Sequence, residues 1–390
     1  MPVSLKLKNI EKKYNRIIVI GNGFDIALGL NSSYKSFIEN YFKDIFLNVY
    51  NLSLEYTFYE THLIRVDISY QNLSLLKEEY NLESLDTETI LTLDYVLKRY
   101  ATIEYKYEFF KEILFHLNKE NWVDVEQLYY DRLKSYYKEY QVLSKKSTKE
   151  GVLNKIKSLN KCMDKITLDL TKYIKSEQNQ ITIDNSPLIS LIDNCDNQLN
   201  DEIRKLQKKY KDLTGIERIV FINFNYTNTL IKTLKKSRIY NKSEHIYIHG
   251  SVNTEENPII FGYGDDTGEF YKDLESSGQN ELLKKIKSFQ YPRTNNYHKL
   301  LSVLDSKEFE VFIIGHSCGL SDRTLLKTMF EHDNCLGIKN FHYKEGRKEE
   351  EEEDFYKRMD ISRHFTDKIK MRERVLPLDR TAKIPQVKNK

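Results

Sequence analysis

Cysteine is sparse in this chain, glycine and proline nearly vanish from its middle, and neither sign of charge prevails. Each shortage excludes something. The four cysteines, Cys162, Cys195, Cys318 and Cys335, form no C-x-x-C pair and stand too far apart to template a zinc site. They read as free thiols of a reduced, cytoplasmic protein. No apolar run approaches the roughly 20 residues that span a bilayer, and Met1 to Arg16 is charged, without the apolar stretch of a secretory signal. Sixty-one basic residues against 58 acidic ones leave a formal net charge of +3. A balance so even gives no electrostatic footprint for nucleic acid. The single Trp122 and the abundance of tyrosine, 28 residues, fit base composition and point to no function.

What is present is enough for a large α/β core. Of 390 residues 40% are hydrophobic, which suits two packed units or one domain carrying an insertion. The first apolar run, Ile17-Ile18-Val19-Ile20, is short, β-branched and closed by Gly21-Asn22-Gly23, as expected of a parallel strand buried on both faces. A short helix from Asp25 pauses at Gly29, and Asn31-Ser32-Ser33 opens a second one. From about Phe42 to Gly215 helical spacing dominates. Leu93, Val96, Leu97 and Tyr100 recur on one face, as do Phe109, Phe110, Ile113 and Leu114. Long turns are expected at Lys145–Gly151 and Asp184–Pro187.

Strands are expected again at Ile219–Ile222, His245–Ile248, Ile259–Phe261, Phe309–Ile314 and Ile338–Tyr343. Helical segments such as Asn228–Lys236 and Asp322–Phe330 alternate with them, the pattern of an open, mostly parallel sheet covered on both faces. The expected division is a discontinuous Rossmann-like α/β domain at 1–42 and 216–344, a helical insertion at 43–215, and a charged C-terminal helix and tail at 345–390. The glutamate run Glu345–Asp354 reads as a solvated helix start or a disordered acidic stretch, and Lys383–Lys390 as a loose tail.

Four clusters at strand ends can carry chemistry. In Gly21-Asn22-Gly23-Phe24-Asp25 the glycines permit a sharp turn and close approach of a ligand, and a helix start offers N–H groups to an anion. It is not the dehydrogenase fingerprint, since Ile26 and Gly29 break the G-x-G-x-x-G spacing. Asp25 reads either as an N-cap or as a contact to a ribose hydroxyl or base. Asn225, in Phe224-Asn225-Tyr226-Thr227, falls where open sheets bind ligands, and is either a capping turn or functional. His249, before Gly250, reads as a general base or as a satisfied histidine closing its strand. Two histidines four apart on a strand, His245 and His249, do not suit a metal, and no metal is expected. The fourth cluster, Gly315-His316-Ser317-Cys318-Gly319-Leu320-Ser321-Asp322, contains G-x-S-x-G between strand and helix. That is the setting of a hydrolase nucleophile, with Asp333 or Asp360 and His342 or His364 as partners. Little chain remains to place them. Trp122-Val123-Asp124-Val125-Glu126 adds an acidic pair within the helical stretch.

In this order the clusters resemble the AbiH-type family of bacterial phage abortive-infection proteins. The matching pieces are the GNGFD loop with Gly29-Leu30 and Tyr34, Trp122–Glu126, Phe224–Thr227, Ile248-His249-Gly250, Gly315-His316-Ser317 with Asp322, Arg363-His364-Phe365 and Pro385-Gln386. That family is in turn distantly similar to sirtuin-like NAD-binding domains. The resemblance implies NAD as substrate, with Asn225 orienting water or ribose, His249 as base, and Tyr226, Gly250, Gly315, His316, Ser317 and Asp322 joining the Gly21–Asp25 loop around the nucleotide. His316, Ser317 and Asp322 would line its adenosine side. Asp25 departs from the small hydroxyl residue usual there, and the zinc cysteines of deacylating sirtuins are absent, which argues against deacylation. The implied function is an antiphage effector that hydrolyses the N-glycosidic bond of NAD or a related nucleotide. The alternatives are a non-catalytic nucleotide sensor and a metal-dependent nuclease built on Asp25, Asp124 and Glu126. Expected partners are a nucleotide, a phage-derived trigger or partner protein, and further copies of the chain; neither a membrane nor nucleic acid is indicated.

Overall fold

A computed structural model describes residues 12–53, 57–87, 90–120, 124–183, 186–197, 213–264, 268–344 and 346–387. Trp122, Val123, Asp184 and Glu345 lie outside the described residues. The chain divides into two compact units, one of Met1–Leu30, Gln180–Ile260 and Gln290–Lys390, the other of Asn31–Asn179 and Phe261–Phe289.

The first unit is built on six strands: β1 (Lys12–Ile20), β5 (Leu213–Asn223), β6 (Ser243–Tyr247), β7 (Phe309–Ile314), β8 (Cys335–His342) and β9 (Ala382–Lys383). They lie in the order β6-β5-β1-β7-β8-β9, every pair parallel. Counted along the chain within this unit, that order is 3-2-1-4-5-6, the doubly wound, Rossmann-type arrangement. The fold is therefore α/β and Rossmann-like, as its sequence pattern implies.

The reason lies in β1. Ile17 and Val19 pack into one cluster with Leu300, Leu325 and Ile338. Ile18 and Ile20 pack into another with Leu188, Ile192 and Leu230. Alternate residues thus feed cores on opposite faces, so a continuous apolar run is required and an alternating one would fail. Each such side chain contributes about 1.5–3 kcal/mol on burial.

Three segments test the sequence reading after β5. Up to Val387 the C-terminal segment is no loose tail: β9 pairs with Phe341 and His342, Ile384 is fully buried, and the Val387 N–H donates to the Ala27 carbonyl (2.9 Å); residues 388–390 lie outside the described ones. The glutamate run begins a helix, Arg347–Ser362, in which Glu353 accepts the N–H groups of Tyr343 and Lys344. Ile259–Phe261 forms no strand. It follows Pro258, which has no N–H to donate, and the Ile260 N–H makes a single bond to the His249 carbonyl.

The second unit is mainly helical, with Leu93, Leu97, Phe109, Phe110, Ile113 and Leu114 buried as their spacing implies. It also holds a small antiparallel sheet in the order β2 (Phe58–Glu60), β3 (Ile64–Ile68), β4 (Ala101–Tyr105), which the helical reading missed. The turn expected at Lys145–Gly151 is a brief break. The helix Lys146–Gln180 starts at once and runs through Gly151. Residues 261–289, read as part of the Rossmann-like portion, group with this unit. No helix among the described residues is long and apolar enough to cross a membrane. The four cysteines are free and buried.

Candidate active site

Because all six strands run parallel, the loops after β1, β5, β6 and β7 emerge at one edge of the sheet. Sheet order reverses between β1 and β7, the place where such folds form a crevice for ligands. Here the two flanking loops touch. The Gly21 N–H donates to the Ile314 carbonyl (3.1 Å) and the Gly23 N–H to that of Gly315 (2.8 Å). A Cβ on Gly21 would lie 2.3 Å from the His316 Cα. One on Gly315, whose φ is +72°, would lie 2.3 Å from the Phe24 nitrogen. These glycines allow loop to pack on loop, where the sequence alone suggested close approach of a ligand.

The rest of the GNGFD motif divides between core and surface. Phe24 is buried in the core, whereas Asn22, the first residue of the helix Asn22–Ala27, is exposed. Gly21 occupies the N-cap position, so Asp25 is not a cap. Its carboxylate points inward and accepts hydrogen bonds from the hydroxyls of Thr227 (2.7 Å) and Thr229. Burial pushes its pKa up to about 6, against the lowering effect of Thr229, Thr227 and Asn225. Neither sequence reading of Asp25 describes this arrangement, and Thr229 was not foreseen; the spaced hydroxyls in Thr227-Asn228-Thr229 were the available signal.

Asn225 serves the same loop. Its side-chain amide donates to the Gly21 carbonyl (3.0 Å), and its own N–H donates to the Asn223 side chain (3.0 Å). The end of β5 is thereby tied to the end of β1. Tyr226 reaches the Ile260 carbonyl with its hydroxyl (3.3 Å), and Gly250 takes φ +83° in the turn after His249.

Three other predicted residues converge. Asp322 sits between two histidines, with Oδ1 3.3 Å from His249 Nε2 and Oδ2 3.4 Å from His316 Nε2. The Phe224 ring packs edge-on against both imidazoles, at 4.8 and 4.3 Å between centroids, and Tyr291 stacks on His249. Asp322 precedes the helix Arg323–Phe330 as its N-cap residue, yet its side chain makes no capping bond. The carboxylate is spent on the imidazoles. Against burial, the Asp322 and Cys318 contacts push the His316 pKa up to about 9, but the Nδ1 geometry opposes that second proton. His316 Nδ1 accepts the Cys318 N–H (2.9 Å), so a second ring proton would meet a donor there. The ring therefore carries its proton at Nε2, towards Asp322.

Ser317 is exposed, and the positive φ in its loop, +60°, falls on buried Cys318. Asp333 pairs with Lys370, Asp360 with Arg363, His342 Nδ1 lies beside Thr381, and His364 meets the Cys318 carbonyl. The G-x-S-x-G segment is thus not built as a hydrolase elbow. In the second unit Asp124 caps the helix Val125–Val142 through the Gln127 N–H. Glu126 accepts the Gly262 N–H and pairs with fully buried Lys287 (3.0 Å). Among the described residues no group of three or more His, Cys, Asp or Glu is placed to hold a metal ion.

The profile of a family described as Bacteriophage abortive infection AbiH matches residues 17–343. The chain belongs to that family, and the membership supports a role in abortive infection. No curated protein matches the chain.

Proposed function

We propose that the protein is an abortive-infection effector that hydrolyses the N-glycosidic bond of NAD, or of a related nucleotide, at the carboxyl edge of its parallel sheet. The observation that carries this reading is the Asp322–His249 pair. Asp322 Oδ1 lies 3.3 Å from His249 Nε2, close enough for the carboxylate to favour the imidazolium formed when His249 takes a proton. His249 removes a proton from water while the water oxygen bonds to the anomeric carbon of the ribose. The bond to nicotinamide breaks with its electron pair going to the departing ring. The products are nicotinamide, ADP-ribose and a proton. General-base help of this kind contributes roughly 10²–10⁴-fold. Asn225 would act through the Gly21 loop that it holds, and Asp25, turned inward, no longer opposes an anion at that loop's outer surface.

A second reading, a nucleotide sensor without turnover, draws support from the burial of His249, His316 and Asp322 and from the glycine contact that closes the loops. The nuclease reading has little support, because Asp25, Asp124 and Glu126 are each engaged as described. Purified protein incubated with NAD and a lysate of phage-infected cells is expected to release nicotinamide. His249→Ala should lower that rate at least 10²-fold while remaining folded. Calorimetric binding of NAD with no release would favour the sensor, and neither binding nor release would overturn both.

A further inference from the structure

The helix Arg347–Ser362 and the turn after it lie beyond the residues matched by the family profile, yet they grip the candidate site. Lys357 donates its ammonium to the carbonyls of His316 (2.7 Å) and Ser317 (3.0 Å). His364, fully buried, has its Nε2 2.8 Å from the Cys318 carbonyl, and since a carbonyl only accepts, Nε2 carries the proton. Burial pushes the His364 pKa down to about 4, so the ring stays a neutral, single donor at physiological pH. Three consecutive carbonyls of the loop after β7 are therefore held by two side chains from the C-terminal segment.

Those contacts lead to the imidazoles. Cys318 itself is in the left-handed region, φ +60°, which strains a non-glycine residue and persists only when other contacts over-determine it. This conformation aims the Cys318 N–H at His316 Nδ1. His316 Nε2 then faces one oxygen of Asp322, whose other oxygen faces His249.

We propose that Lys357 and His364 are positioning residues, which fix the loop of His316, Cys318 and Asp322 and through it orient His249. Neither touches the reacting atoms. The catalytic part of this inference rests on the hydrolase reading; the structural part does not, and the two separate experimentally.

The test is imidazole nitrogen NMR on the full chain labelled with 15N-histidine, read alongside NAD hydrolysis. The variants are Lys357→Met, Lys357→Arg, His364→Phe and His364→Gln, whose amide N–H reaches as far as His364 Nε2. In the wild type, His316 Nδ1 should resonate as an unprotonated acceptor. Lys357→Met and His364→Phe should each shift the His316 and His249 resonances and lower kcat about tenfold or more with KM little changed. Lys357→Arg and His364→Gln should restore both. If His364→Phe does not fold, half-exposed Lys357 still provides the comparison. Folded Lys357→Met with unchanged imidazole resonances would overturn the proposal. Shifted resonances in a protein whose wild type leaves NAD intact would support the positioning and overturn the hydrolase.

Discussion

Asp25 is the residue whose surroundings differ most from what its neighbours in sequence imply. Two and four residues after Gly23 and Gly21 at a helix start, it has the context of a cap or ligand contact, but the chain turns it into the core against Thr227 and Thr229. That partnership spans about 200 residues, and no local pattern encodes it. Asn225, His249 and Asp322 were legible for the opposite reason. Asn225 and His249 stand two residues past an apolar strand and Asp322 closes the loop that follows another, and in a parallel sheet all such ends share one edge. What their order could not show is that Asn225 spends its amide on the Gly21 carbonyl, or that one carboxylate serves two histidines. Buried Asp25 also has a consequence for stability. Its folded pKa, about 6, is above the ordinary 3.8, so the folded state binds the proton more tightly. Its contribution is complete below about pH 4 and is lost as pH rises through 6, roughly 3 kcal/mol in all. Asp25→Asn lacks that loss. The stability of the variant minus that of the wild type, from urea unfolding, should rise by about this amount between pH 4 and pH 7. A pH-independent difference would show that Asp25 does not titrate there.

Elements were legible in proportion to their length and burial. Ile17–Ile20 is a continuous apolar run, Phe309–Ile314 is broken only by Glu310, which pairs with Arg16, and both form strands as expected. The strands β2 to β4 are three to five residues long, and β2 and β4 have no fully buried side chain, so little alternation survives to mark them. In β3 it does survive, Ile64, Val66 and Ile68 being buried with Arg65 and Asp67 between them. Gly151 misled in the other direction. It suggested a turn, but the helix of 35 residues passes through it, because one glycine costs a helix only about 0.5–1 kcal/mol and the buried face of Val152, Ile156, Leu159 and Met163 outweighs that. A Cβ at Gly151 would meet nothing within 4 Å. Gly151→Ala should therefore stabilise the second unit by about 0.5–1 kcal/mol, read as a raised thermal midpoint; a lowered midpoint would contradict a continuous helix there.

At the scale of the whole chain, the first unit is a Rossmann-type sheet whose sequence is interrupted after β1 by the second unit and whose edge strand comes from the C-terminal segment. Its order along the chain explains why the candidate residues are scattered from Gly21 to Asp322 and still meet at one edge. Family membership supports the abortive-infection role, and the proposed chemistry places His249 as a base beside Asp322, with Lys357 of the C-terminal helix bound to the same loop. The most direct test is the NAD pool of phage-infected cells expressing the wild type, His249→Ala or Asp322→Asn at equal protein levels, since infection itself supplies the trigger. NAD is expected to fall and nicotinamide to appear with the wild type, while both variants leave the pool intact and lose protection. Protection by the wild type with NAD and related nucleotides undiminished, or equal depletion by His249→Ala, would contradict the proposed chemistry.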